Sequence, residues 1–380
     1  MTNNHQILIT QEETLSQTID CLINHIEVNS QGAFTTKDLF NLLVRAASNN
    51  DSIENTSKTL KNCPSGRNIR YHLDKFNNFE TLESQVNLAL KSQVLPRIRK
   101  GKLKLAIDLN LIPYYGEPSE EEKPYIYRSQ AKQGTCSFYA YATLYCIKKG
   151  KRLTLAIRGV RPTDTSVAII SYLLADVNCL NLDFRTLYLD RGFFSRAVIR
   201  WLKALTIPFM IPAIKTGKTG GIKQFLKGKK SYKTTYRMGK SDDDYVIFDL
   251  WIVCKYISRK GKKKERKYFA YVVYKPAISL HNIYEDYRLR FGIETSYRIK
   301  NICRIKTTNK KPVIRLLFIG ISFVLVNIWV NLLWRKVSIP RRGGRLILGQ
   351  LFTFKQMLSF LRSAIDKLYE VVDKIYLVEG

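Results

Sequence analysis

A chain of 380 residues that is 45% hydrophobic and 12% aromatic has the apolar content of a folded protein, which excludes intrinsic disorder and makes two or three structural units the expectation. Lys and Arg number 63 against 31 Asp and Glu, a formal net charge of +32; such a chain repels itself unless a polyanion neutralises it, and nucleic acid does so with release of counterions. The 7 cysteines are scattered without a CxxC pair, which argues against a disulfide framework or zinc ribbon and fits a reducing cytoplasm.

In chain order, the polar start from Met1 to Gln11 lacks the basic and apolar regions of a signal peptide. Residues 1–95 read as helical. Phe34 to Phe40 looks like a capped helix start, with Thr35 or Thr36 as the cap and Asp38 in the first turn, and Leu39, Leu42, Leu43 and Ala46 follow a helical period. Cys63-Pro64-Ser65-Gly66 marks a turn, with Arg67, Arg70 and His72 after it. Two short helices about such a turn suit a helix-turn-helix, and a plain helical bundle equally.

From Lys102 the pattern changes. Leu103, Leu105 and Ile107 alternate with other residues and lead into Asp108, as in a strand ending at a carboxylate. Phe138 to Ile147 and Leu153 to Arg158 are further β-type runs, Thr163 to Asn178 is helical, and Leu187-Tyr188-Leu189-Asp190 is a second strand ending at a carboxylate, followed by a helix over Phe193 to Leu205. Alternating strands and helices predict an α/β core. Residues 206–278 break the rhythm with a Gly- and Lys-rich stretch (Lys215 to Lys230), β-type runs at Tyr245 to Phe248 and Tyr268 to Tyr274, and a basic tip at Arg259 to Lys264. This reads as a β-rich insertion whose basic loops either face DNA or are simply solvated.

Ile283 to Ile302 is helical, and a last helix runs from Phe354 to Tyr376. Between them, Leu316 to Trp334 is uncharged and long enough to span a bilayer. Basic residues flank it on both sides, and Asn327 and Asn331 lie one above the other on one helix face. Both features suit a buried core helix better than a span.

The chemistry rests on three carboxylates. Asp108 and Asp190 close strands, and strand ends collect at the carboxyl edge of an open sheet, where ligands bind. Glu294 sits in the helical run with Arg290 and Arg298 four residues to either side. Oxygen ligands of this kind suit Mg²⁺, and two such ions support in-line phosphoryl displacement. The 4 histidines show no ligand spacing, so zinc hydrolysis is not expected. Taken alone, Arg290, Glu294 and Arg298 would also serve as an exposed ion-pair ladder.

Tyr287, Arg290 and Glu294 in DYRLRFGIETSYR reproduce the Y-x2-R-x3-E signature of transposases of the insertion-sequence-four group. Asp108 in LAIDLNLIPYYG and Asp190 in LYLDRGFFS resemble the first two acids of the same catalytic triad, and Pro113-Tyr114-Tyr115-Gly116 looks most like the halobacterial and cyanobacterial branch. The resemblance covers residues 100 to 335. It implies an α/β, RNase H-like catalytic core with an Asp108, Asp190, Glu294 site for a pair of Mg²⁺ ions (Mn²⁺ able to substitute), and a β-rich insertion between the second Asp and the Glu. It also implies DNA contacts by Tyr287 and Arg290, with Arg298 and Lys300 as further candidates. The family Lys seven residues after the Glu is here Asn301, with Lys300 just before it.

The expected organisation is a helical DNA-binding region at 1–95, core at 96–205, insertion at 206–278, catalytic and apolar helices at 279–335, and a C-terminal helical region at 336–380. The expected activity is cut-and-paste DNA transposition by a cytoplasmic homodimer on paired double-stranded ends, with no membrane partner. The alternative is a catalytically inactive DNA-binding descendant.

Overall fold

The computed structural model describes residues 8–28, 34–99, 101–148, 151–217, 221–239, 241, 243–257, 265–291, 299–342 and 344–375. Among the expected features, Glu294, Arg298 and the basic tip at 259–264 lie outside the described residues.

A nine-stranded mixed sheet organises the chain. Its strands are β1 (Leu103–Pro113), β2 (Ile126–Lys132), β3 (Thr135–Lys148), β4 (Lys151–Gly159), β5 (Phe184–Leu189), β6 (Phe209–Pro212), β7 (Tyr232–Met238), β8 (Val246–Ile257) and β9 (Glu265–Tyr274). The order is β2-β3-β1-β5-β6-β9-β8-β7, with β4 also on β3. β1, β5 and β6 run parallel, and the remaining pairings are antiparallel.

Strand alternation sorts side chains onto two cores. Leu103, Leu105 and Ile107 face one core with Leu187 and Leu189, covered by helices Ser166–Asp176 and Arg196–Ala204. Ala106, Tyr145 and Tyr188 face the other, which is covered by the apolar helix Pro312–Lys336 and the N-terminal helices. The result is a sheet between two helical layers.

The N-terminal helices are a layer of this core and not a detached unit. Helix Phe79–Ser92 lies along the open edge of β4, where the Asn87 amide donates to Ile157 O at 3.0 Å and accepts from Ile157 N at 2.8 Å. Helix Thr36–Ser48 starts from a capping box in which Thr35 and Asp38 satisfy each other's backbone groups. It packs on the C-terminal helix Phe354–Tyr369, where Arg45 pairs with Asp366 at 2.6 Å and the Tyr369 hydroxyl donates to Asp38 at 2.7 Å. Regions 1–95 and 336–380 thus share one hydrophobic core. Local periodicity carries no information about a partner some 300 residues away, so the sequence kept them apart.

The apolar helix is buried along almost its whole length. At Gly320 an added Cβ would come 2.8 Å from Val86, so this glycine lets the apolar helix press onto helix Phe79–Ser92. Asn327 accepts from Thr154 N at 3.0 Å and donates to Thr154 O at 2.7 Å, and Asn331 donates to Gln93 O at 3.1 Å. The Asn327 amide thus completes a sheet edge inside the protein, and Asn331 satisfies the carbonyl of the residue that caps helix Phe79–Ser92.

The segment from 206 to 278 is not a separate body. β6 belongs to the parallel core through its pairing with β5, and β9 joins β6 antiparallel. β7, β8 and β9 therefore extend the same sheet outward. β6 is too short to show a period, which hid its role in the sequence.

Candidate active site

β1 and β5 pair in parallel until Ile107 meets Leu189. The next residue on each is a carboxylate, Asp108 and Asp190. There the two chains part. β1 continues to Pro113 against β3 alone, and β5 gives way to a 3₁₀ turn at Arg191–Phe193. Asp190 does close its strand, whereas Asp108 sits mid-strand and closes only the parallel pairing. The divergence of two parallel strands opens a crevice at their carboxyl ends, the usual place for a ligand in such sheets.

Arg290 ties the two acids together. Its Nη2 lies 3.1 Å from Asp108 Oδ1 and 3.3 Å from Asp190 Oδ1. Arg290 and Asp108 are largely buried and Asp190 is half exposed. Asp108 also accepts from Leu109 N at 3.0 Å, which fixes one carboxylate oxygen. Two carboxylates that converge on one cation are hard oxygen donors of the kind Mg²⁺ takes, so the residues present fit such an ion. Among the described residues no group of three or more His, Cys, Asp or Glu side chains gathers to hold a metal; the expected third acid, Glu294, is outside them.

The helical run expected over Ile283 to Ile302 is described at 283–291 and again, as helix, at 299–302, while residues 292–298 lie outside the described residues. The α-helix covers Ile283–Arg288, and the chain then tightens into a 3₁₀ turn at Leu289–Phe291. Residues three apart nearly eclipse in such a turn, and the Arg290 guanidinium lies 5.9 Å from the centre of the Tyr287 ring. The helix is moored by Asp286, which pairs with Lys104 of β1 and accepts from the Tyr188 hydroxyl. Sequence reasoning missed these three anchors. The available signal was Asp286 itself, immediately before the motif tyrosine.

Tyr287 is buried, and its hydroxyl donates to Leu189 O, one residue before Asp190, at 3.1 Å. Burial pushes its pKa well above the ordinary tyrosine value, so the proton stays available for that bond. Its ring packs on Tyr271 at 5.2 Å and Tyr188 at 6.3 Å. Tyr287 thus holds the end of β5 in this structure. Tyr287→Phe is expected to cost about 1 kcal/mol of stability, read as a lower urea midpoint at constant slope; an unchanged midpoint would mean that the bond does not hold the strand end.

Lys300 is not at the crevice surface. It is almost fully buried with its Nζ 5.1 Å above the Phe323 ring. Burial, with Arg304 nearby, lowers its pKa to about 7. The sequence places it one residue from the family lysine, and that single residue turns the side chain about 100° around a helix, toward the core.

A cavity of about 480 Å³ opens beside Asp190, between the 3₁₀ turn, β9 and the Ile283–Arg288 helix. Its cations are Arg191, Lys215, Arg288 and Arg290, and Tyr271 and Tyr284 form its aromatic walls. Burial lowers the pKa of Lys215, as does the nearby Arg191 charge. A positive cavity lined by Asp190 and by Arg290, which joins Asp190 to Asp108, suits a polyanionic strand.

Residues 99–323 match the family model described as "Transposase DDE domain", more than half of the chain. The chain belongs to this family. The matched DDE domain begins just before β1 and ends inside the apolar helix, so it includes Asp108, Asp190, Tyr287, Arg290 and Glu294. No curated protein matches the chain. Among solved structures it is similar to the piggyBac transposase in a cryo-EM synaptic complex with hairpin DNA. The TM-score is 0.57 and the identity 13%, with 94% of this chain and 77% of that chain covered. The likeness is one of fold, and the core is accordingly mixed α/β and RNase H-like. The five strands β4-β3-β1-β5-β6 form that core, with β7 to β9 added at one edge.

Proposed function

We propose that the protein is a DDE transposase of the insertion-sequence-four group, of the halobacterial and cyanobacterial branch. In this reading it cleaves double-stranded DNA at the terminal inverted repeats of a mobile element and joins the freed ends to target DNA. The observation that carries it is the pair Asp108 and Asp190, adjacent where β1 and β5 part and joined by Arg290. Family membership and the cationic cavity beside Asp190 support the same reading.

Asp108, Asp190 and Glu294 would hold Mg²⁺, or Mn²⁺ in its place, which when bound supplies Lewis acidity for in-line displacement at phosphorus. In the first reaction a water oxygen bonds to phosphorus, the bond to the 3′ oxygen breaks, and that oxygen leaves as a 3′-hydroxyl. In the second, this hydroxyl attacks a target phosphodiester and displaces its 3′ oxygen. Arg290, already at the carboxylates, is placed to grip the scissile phosphate with two parallel N–H bonds. Tyr287 and Asp286 keep that turn in position. Because two ends must be joined in concert, the working form is a homodimer on paired ends.

The test is cleavage of labelled DNA carrying the element's terminal repeats, with Mg²⁺, with Mn²⁺ and with EDTA. Metal-dependent cuts at the repeat end are expected. Tight binding without cutting under every metal would replace this reading with that of an inactive DNA-binding descendant.

A further inference from the structure

Three cations surround a second cavity, of about 420 Å³, at the far end of β1. They are Arg304, Lys310 and Arg315, and Thr307 and Thr308 line the same wall. Tyr114 and Tyr115 also line it, together with Gln133 at the tip of the β2–β3 hairpin. Among the described residues none of the three cations pairs with a carboxylate. Glu122 is the acid that acts on Arg315 through charge, yet it is already bound, accepting from the Tyr114 hydroxyl at 2.7 Å and from Ser119 N at 3.0 Å.

Two of the cations make contacts within the protein. Arg315 donates through Nε to Asn309 O at 2.5 Å, and burial lowers its pKa, so its charge sits in a partly dry place. The Lys310 carbonyl accepts from the Tyr139 hydroxyl, and its Nζ lies 5.2 Å above the Tyr114 ring. Gly116 has a φ of +91°, which favours glycine, and a Cβ there would come 3.1 Å from that Nζ, so the turn passes close beside the lysine. Tyr115 stands exposed at the rim, tied by its hydroxyl to Gln133 O at 3.0 Å. Clustered positive charges with no acid of their own are costly unless an anion completes them.

We propose that this cavity is a phosphate cradle that holds a backbone phosphate of the DNA duplex away from the cut. The inference rests on the transposase reading of the carboxylate site. Duplex DNA is favoured as the source of the phosphate because the cradle and the carboxylates share a strand. Tyr114, just past the end of β1, follows Asp108 by roughly 20 Å of extended chain, which matches the rise of about six base pairs. A duplex lying along β1 would place one phosphate at the carboxylates and another in the cradle, fixing the register of the cut.

The test uses the full chain and a fluorescent random-sequence duplex long enough to span both sites. Arg304→Gln with Lys310→Gln is compared with Lys355→Gln plus Lys374→Gln, an equal loss of charge in the C-terminal region. Thermal melts check that both pairs fold. The cradle pair is expected to weaken binding about tenfold and to flatten the salt dependence by about 0.9 per lost phosphate contact, and the control pair to do neither. Equal affinity and slope for both pairs, with the unsubstituted chain still cutting its terminal repeats, would overturn the cradle and leave the transposase reading intact. An unsubstituted chain that neither binds nor cuts DNA would overturn both. Inorganic phosphate replacing chloride at equal ionic strength is the last arm. If it alone abolishes the advantage of the unsubstituted chain, the cavity prefers free phosphate and the duplex assignment is wrong.

Discussion

Asp108→Asn and Asp190→Asn are each expected to lower DNA cleavage by about a thousandfold or more while leaving DNA affinity unchanged or slightly raised. Both exchanges keep the side chain's shape. In Asp108→Asn the new amide oxygen would still accept from Leu109 N and would still face Arg290, so neither β1 nor the 3₁₀ turn at Leu289–Phe291 loses its fixed points. What disappears is one negative charge at the place where the chemistry needs a hard anionic ligand. DNA affinity comes from elsewhere, because a chain of formal charge +32 is attracted to phosphate over a wide surface, and removing an acid adds to that attraction. Glu294→Gln should behave as these two do if it is the third ligand. A gel assay for cleavage and an anisotropy titration on the same preparation separate the two quantities. Undiminished cutting by one of the variants would remove that residue from the site.

Much of this site was legible in the sequence because strands and charged residues make strong local signals. Leu103, Leu105 and Ile107 alternate, so a strand leading to Asp108 could be read directly, and Leu187 to Leu189 gave the same signal for Asp190. Tyr287 and Arg290 were singled out by the family signature they share with Glu294. What could not be read was pairing. That β1 runs on past Asp108 follows from its antiparallel partner β3, which continues to oppose it as far as Pro113. That Tyr287 turns its hydroxyl to Leu189 O depends on how the helix is moored by Lys104, Asp286 and Tyr188, residues brought together from three parts of the chain. The cradle was half visible. Pro113-Tyr114-Tyr115-Gly116 stood out as a motif, but its partners Arg304, Lys310 and Arg315 lie almost two hundred residues further on and meet it only in the fold.

Replacing Asn327 with Leu should destabilise the protein by about 3 kcal/mol, although the exchange makes a long apolar helix more apolar still. The reason lies in β4. Its outer edge faces no further strand in the stretch around Thr154, and an edge buried in a core must find partners for its N–H and C=O groups. Asn327 provides both at once, accepting from Thr154 N and donating to Thr154 O, with a further bond to Leu90 O at 3.3 Å. Leucine would leave two backbone groups buried without partners, and its own hydrophobic gain cannot offset them, because the site is already shut off from water. Urea unfolding should therefore show a lower midpoint with an unchanged slope, since the area exposed on unfolding stays the same. For a helix that crossed a bilayer the expectation has the opposite sign, since trading an amide for leucine in lipid is favourable. Equal or higher stability of the Leu variant would thus count against the buried-edge account, and a loss of the expected size would tie the apolar run at 312–336 to the same sheet that holds Asp108 and Asp190.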